Sequence, residues 1–181
     1  MFPTETVYGL GADASSSAAV ERLVAVRGRE EGKPILVLVH DLTMVEAITA
    51  DVPDAARRLA ARFWPGPLTL VLPARDGLPA ALTAGSGTIG VRIPGHAVAL
   101  DLVARLGRPV TAPSANPPGL EPPRRPDLAR SHFGDRIRVY LDAGELPGGA
   151  STVAAVDGDT LRVLRAGAID EARLRAALAG R

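Results

Sequence analysis

A chain of 181 residues, 46% of them apolar, is long enough to bury one ordinary hydrophobic core and too apolar to stay disordered. Its formal net charge is +1 with acids and bases interspersed, which argues against a non-specific polyanion binder. It has no cysteine, which excludes disulfides and thiolate metal cages, and no apolar run reaches membrane-spanning length.

The chain opens on Pro3-Thr4-Glu5-Thr6-Val7-Tyr8-Gly9-Leu10-Gly11. Each polar group of that run would need a partner if it were a buried strand. The run suits a strand edge turning into a loop, where glycines let backbone approach a ligand. Ala18 to Val26 reads as a helix with Val20, Leu23 and Val24 on one face, capped by the preceding serines. Ile35 to Val39 is a continuous β-branched and leucine run, as in a strand buried on both faces. Leu42 to Ala50 and Val52 to Phe63 read as helices, the second with Pro53 near its first turn. Phe63-Trp64-Pro65-Gly66-Pro67 then anchors a helix end in the core and forces a sharp turn.

Leu68 to Leu72 and Thr88 to Ile93 follow as strands, and Ala97 to Leu106 as an amphipathic helix closed by Gly107. Pro117 to Arg125 reads as a surface loop. Val110 to Ala112, Ile137 to Leu141, Ser151 to Val156 and Leu161 to Leu164 are short strand candidates, with a hairpin turn at Asp157-Gly158. Asp170 caps a last helix, with Ile169 and Leu174 at staple positions. The pattern is α/β in one domain, 1–181, with a mixed sheet because one strand pair is hairpin-linked.

Familiar chemistry is scarce. Gly28 to Pro34 is one residue short of a phosphate-binding P-loop and has proline where a hydroxyl should bind magnesium. His40, His96 and His132 show no metal-ligand spacing. Polar clusters at element ends remain. Arg27-Gly28-Arg29 either meets one anion or is a solvated helix end favoured by the dipole. Arg92, inside an apolar strand, either faces a cavity or pairs with a carboxylate. Pro113-Ser114-Ala115-Asn116-Pro117 either binds a ligand or caps a turn. Gly148-Gly149-Ala150-Ser151-Thr152-Val153, with Arg165 beyond it, either offers amides to an anion or forms a flexible hairpin entry.

Taken together, the chain resembles the YrdC-like family, the threonylcarbamoyl-adenylate synthases of tRNA modification. The likeness runs from Phe2 to about Ile169. It rests on Pro3 to Gly11, Gly28-Arg29 with Lys33-Pro34, Phe63 to Thr69, Val91-Arg92-Ile93-Pro94, Pro113 to Asn116, Ser151-Thr152-Val153 and Leu164-Arg165. Each segment alone is weak; seven in the family's order are specific. The resemblance implies a twisted open mixed sheet with helices packed on it and a large, concave, electropositive face. It also implies a nucleotidyltransferase that joins L-threonine, bicarbonate and ATP into threonylcarbamoyl-AMP, releasing pyrophosphate. Magnesium accompanies the nucleotide. A transferase complex then passes the group to adenosine 37 of tRNA. Thr4, Arg92 and Ser151 would hold threonine. Arg27, Thr88, Ser114, Asn116 and Arg165 would hold ATP. Arg27 and Arg29 would be catalytic, Arg29 where carboxylate and phosphate charges meet, with no resident metal site.

Two departures stand out. The family usually has lysine where this chain has Arg27, and the two cations are not interchangeable. Family members also carry a further helix and part of a first strand before the Pro-Thr segment, whereas Met1 stands almost at the motif here. No basic segment followed by an apolar stretch marks a signal peptide, so a cytoplasmic protein without membrane contact is expected. Two other readings stay open. One is a non-catalytic module binding double-stranded RNA or tRNA on the same face, disfavoured by six aromatic residues and near-neutral charge. The other is a carbamoyl-transfer relative acting on adenylates derived from carbamoyl phosphate.

Overall fold

The computed structural model describes residues 1–28 and 32–180. Helix α1 (Ser17–Arg27) begins where the Ser16 hydroxyl accepts from the Ala19 amide, and it stops at Gly28, whose φ of +85° disfavours any side chain. Strand β1 (Leu36–Leu38) is followed by α2 (Leu42–Ile48), capped by Asp41, and α3 (Asp54–Phe63), which starts after Pro53. At the end of α3, Phe63 enters the core and the Trp64 indole donates to the Leu68 carbonyl at 2.7 Å, so this aromatic pair has the structural role expected of it.

Strands β2 (Leu68–Pro73) and β3 (Thr88–Arg92) flank a short helix α4 (Ala80–Thr83) that the sequence pattern did not announce. Helix α5 (Ala97–Leu106) is closed by Gly107 in the left-handed conformation. Strand β4 (Val110–Thr111) leads through a largely exposed loop to α6 (Pro126–Phe133), also unannounced. Strands β5 (Thr152–Asp157) and β6 (Thr160–Arg165) form the expected hairpin, closed by Gly158-Asp159. Helix α7 (Glu171–Ala179) ends the described chain, and Asp170 accepts from the Arg173 amide at 2.7 Å. Asp170→Ala is expected to cost about 1 kcal/mol and to lower the melting temperature by roughly 2–4 °C, read by thermal unfolding.

One expected strand does not form. Ile137 to Leu141 alternates apolar and polar residues, but no neighbouring strand pairs with it. Among the described residues its backbone bonds to another segment are to Met1, through Met1 N to the Val139 carbonyl and Leu141 N to the Met1 carbonyl, while Ile137 N closes a local turn onto the Gly134 carbonyl. One residue cannot make a ladder, and Val139 points out to solvent.

The strands form one mixed sheet in the order β4-β1-β3-β2-β5-β6. The pairs β1/β3 and β2/β5 are parallel, and the others are antiparallel. Side chains alternate across it. Leu68, Leu70 and Leu72, Ile89 and Val91, and Ala154 and Val156 form the buried face, packed on Val45, Leu59, Phe63 and Leu174 of the helices. The opposite face carries a buried apolar cluster at one end, where Leu38, Val110 and Ala112 pack on Phe2, Ala99 and Val103. Over β3, β2 and β5 that side carries Thr88, Gly90 and Arg92, Thr69 and Val71, and Val153 and Ala155. Most of these residues are small or polar, and none belongs to an apolar cluster of buried residues.

The N-terminal run folds back on itself beside this face. Phe2 and Gly9 exchange two backbone hydrogen bonds of 3.0 and 2.9 Å, leaving Thr4 to Val7 as the tip of a narrow loop. No described helix is long and apolar enough to cross a membrane.

Candidate active site

Arg92 ends β3 on the small-residue face, with only 2% of its surface reaching solvent. Burial holds its guanidinium below the ordinary arginine range; the Glu5 carboxylate opposes that shift and the Arg165 cation adds to it. Glu5 comes from the tip of the N-terminal loop, its Oε1 3.7 Å from Arg92 Nε. That is an ion pair but too long for a hydrogen bond. Both Glu5 oxygens and Arg92 Nε are sealed from solvent with no hydrogen-bond partner.

Beside them, the end of β6 meets the start of β5. Arg165 Nε and Nη2 donate to the Ser151 carbonyl at 3.1 and 3.0 Å, and Nη2 donates to Ser151 Oγ at 2.9 Å. Thr69 Oγ1 lies 3.3 Å from the same Ser151 Oγ. The turn beyond Arg165 is tight, because Thr152 Oγ1 donates to the Ile169 carbonyl at 2.6 Å and accepts from its amide at 3.0 Å. Thr4 is buried, and its hydroxyl donates to the Val7 carbonyl at 2.6 Å, which ties the tip of the loop.

A second group lies around the end of α1. Arg27 is buried and its Nε donates to the Ser114 carbonyl at 2.9 Å. Asn116 Nδ2 donates to the Pro117 and Leu120 carbonyls at 3.0 and 2.6 Å, shaping the turn, while its Oδ1 is buried without a partner. The N-terminal loop joins the two groups: Gly9 bridges to Ser114, and the Ala115 amide donates to the Tyr8 carbonyl at 2.8 Å.

The structure therefore brings Arg92, Ser151 and Arg165 together beside the Thr4–Glu5 tip, and brings Arg27 to Ser114 near Asn116. Thr88 touches neither group. It bonds Ser86 at the far end of β3, on the same face as Arg92 and roughly 13 Å along the strand. Arg29 lies outside the described residues. Sequence reasoning passed over Glu5 and Thr69. The signals were a carboxylate inside a motif already singled out and a threonine alternating with leucines in β2.

Two guanidinium groups, small hydroxyls and one carboxylate make a surface for anions. Among the described residues, no group of three or more His, Cys, Asp or Glu side chains could hold a metal ion. The Ser151 hydroxyl lies against a guanidinium rather than a base, an arrangement that does not activate a nucleophile.

A family model, Sua5/YciO/YrdC, described as telomere recombination, matches residues 1–167. The chain is 42% identical over 144 residues to a threonylcarbamoyl-AMP synthase of Pyrococcus abyssi, covering 80% of this chain and 42% of that protein. It is 38% identical over 179 residues to the enzyme of the same name from Bacillus subtilis, covering 98% of this chain and 52% of that one. The crystal structure of P. abyssi Sua5 complexed with L-threonine superposes with a TM-score of 0.93 at 38% identity, over 97% of this chain and 52% of that chain. The chain thus spans about half the length of these relatives. On the match of nearly its whole length, with the fold in agreement, the chain belongs to the Sua5/YciO/YrdC family.

Proposed function

We propose that this chain makes threonylcarbamoyl-AMP and pyrophosphate from L-threonine, bicarbonate and ATP, and that the product serves threonylcarbamoylation of adenosine 37 in tRNA through a transferase complex. The observation that carries the reading is the gathering of Arg92, Arg165 and Ser151 at one corner of the sheet beside Thr4. The relatives named threonylcarbamoyl-AMP synthase and the threonine-bound Sua5 structure support it.

In this reading the threonine carboxylate lies on Arg92, with the Thr4 and Ser151 hydroxyls beside it. The nucleotide runs along the face toward Thr88, held by Arg27, Ser114, Asn116 and Arg165, with magnesium carried in on the triphosphate. By the family resemblance, Arg29 would serve the carboxylate and phosphate charges of the two substrates. The neutral threonine amine attacks bicarbonate carbon and water leaves, giving a carbamate. A carbamate oxygen then attacks the α-phosphorus, and the bond to pyrophosphate breaks. Both steps concentrate negative charge, which fixed guanidinium groups stabilise without reorganising. Positioning two anions side by side supplies the rest.

The test is pyrophosphate release from ATP that requires both threonine and bicarbonate. Release independent of threonine, or RNA binding with no turnover at all, overturns the reading. Arg27→Lys keeps a cation and a donor within reach of the Ser114 carbonyl, as at the corresponding family position. It is expected to leave kcat/KM within about threefold of the parent, where a neutral Arg27→Met loses roughly a hundredfold.

A further inference from the structure

We infer that Glu5 is a positioning residue whose carboxylate holds the Nε side of Arg92, so that the paired Nη edge of that guanidinium is presented to a substrate carboxylate. The inference rests on the functional reading above.

Arg92 is almost wholly buried, and a buried guanidinium requires a counter-charge. Glu5 supplies it, and the contact is made at Nε. The Nε hydrogen points along one edge of the planar group and the two terminal nitrogens share another; each edge can take a carboxylate. With Nε sealed behind Glu5, the Nη edge is the one left. The terminal nitrogens are not among the atoms that are both sealed and unpartnered, whereas Nε is.

Glu5 cannot itself be the substrate's contact, since both of its oxygens are closed off from solvent. It therefore acts through Arg92. Its own position is fixed from behind by the Phe2–Gly9 backbone bonds and by the Thr4 hydroxyl on Val7. Across this corner Arg165 disfavours the Arg92 charge and Glu5 favours it, so the Glu5 carboxylate offsets both burial and the neighbouring cation.

The test separates the two substrates. Steady-state kinetics on the full chain would compare the parent with Glu5→Gln, which keeps shape and loses charge, and with Glu5→Asp, which keeps charge and loses reach. The expected result is a KM for threonine raised at least tenfold in Glu5→Gln and by an intermediate factor in Glu5→Asp, with the KM for ATP within twofold. Simple loss of folded protein would lower the maximal rate and leave both KM values in place. A threonine KM within twofold of the parent in the folded variants overturns the inference alone, as does an equal rise for both substrates. Should Glu5→Gln not fold, Glu5→Asp carries the same comparison. A parent protein that neither binds threonine by calorimetry nor turns over overturns the functional reading first and this inference with it.

Discussion

Arg92→Ala is expected to end threonine-dependent turnover, with kcat/KM falling by roughly a hundredfold to a thousandfold or more. The same change should destabilise the fold by about 3–5 kcal/mol, the usual consequence of removing one member of a buried ion pair. Two causes are mixed in that result and can be separated. Removing the cation deletes the proposed contact to the substrate carboxylate, and it also strands Glu5, whose oxygens already lack hydrogen bonds. Exchanging both partners for leucine removes the stranded charge. The double variant should therefore regain much of the lost stability in chemical denaturation while remaining inactive. Recovery of activity along with stability would mean that Arg92 serves only the fold.

Gly167→Ala should damage fold and site together, for a backbone reason. A Cβ at this position would lie 2.4 Å from the Ala150 carbonyl oxygen and 2.5 Å from both Ser151 C and Thr152 N. These are main-chain atoms, so no side chain can swing aside to relieve the overlap. Either the 150–152 segment or the turn after β6 must move. Ala168 N donates to the Ala150 carbonyl at 3.0 Å and Thr152 clasps Ile169, so either movement breaks bonds that hold the turn. The expected cost is about 3 kcal/mol or more, at the upper end of single substitutions. Because Arg165 hangs on Ser151 through the same turn, turnover should fall even at temperatures where the variant is fully folded. Unchanged melting and kinetics would show that the turn has room for a side chain at this position.

Local signals were enough wherever a segment carries its own instructions. Ser16, Asp41 and Asp170 cap helices by reaching back to nearby amides, and Gly28 and Gly107 end them by their φ values. The run around Leu36–Leu38 needs only β-branched and leucine side chains to declare a buried strand. Helix α6 stayed hidden because its buried residues, Ala129 and Phe133, give a thin apolar stripe within a stretch rich in proline and arginine. Ile137 to Leu141 misled for the converse reason: alternation describes a face, but a strand also needs a neighbour along its length.

The site divides in the same way. Its components sit in motifs visible in the sequence, yet the contact between Glu5 and Arg92 joins residues 87 positions apart, a relation no local pattern encodes. Thr69 and Gly90 became meaningful only once the register placed them on the side without an apolar layer.

That one-sided sheet has an evolutionary corollary. In β2 and β3, neighbouring residues answer to different masters by parity: Leu68, Leu70, Leu72, Ile89 and Val91 maintain the fold, while Thr69, Val71, Thr88 and Gly90 lie on the side without an apolar layer. Changes at the second set can remodel the face proposed to bind substrate while leaving the main apolar core alone. Gly90 marks how far that freedom extends, since even a methyl there would come within 3.3 Å of Thr69 Cγ2. A lineage drifting toward a bulkier ligand would therefore keep this glycine and vary its neighbours.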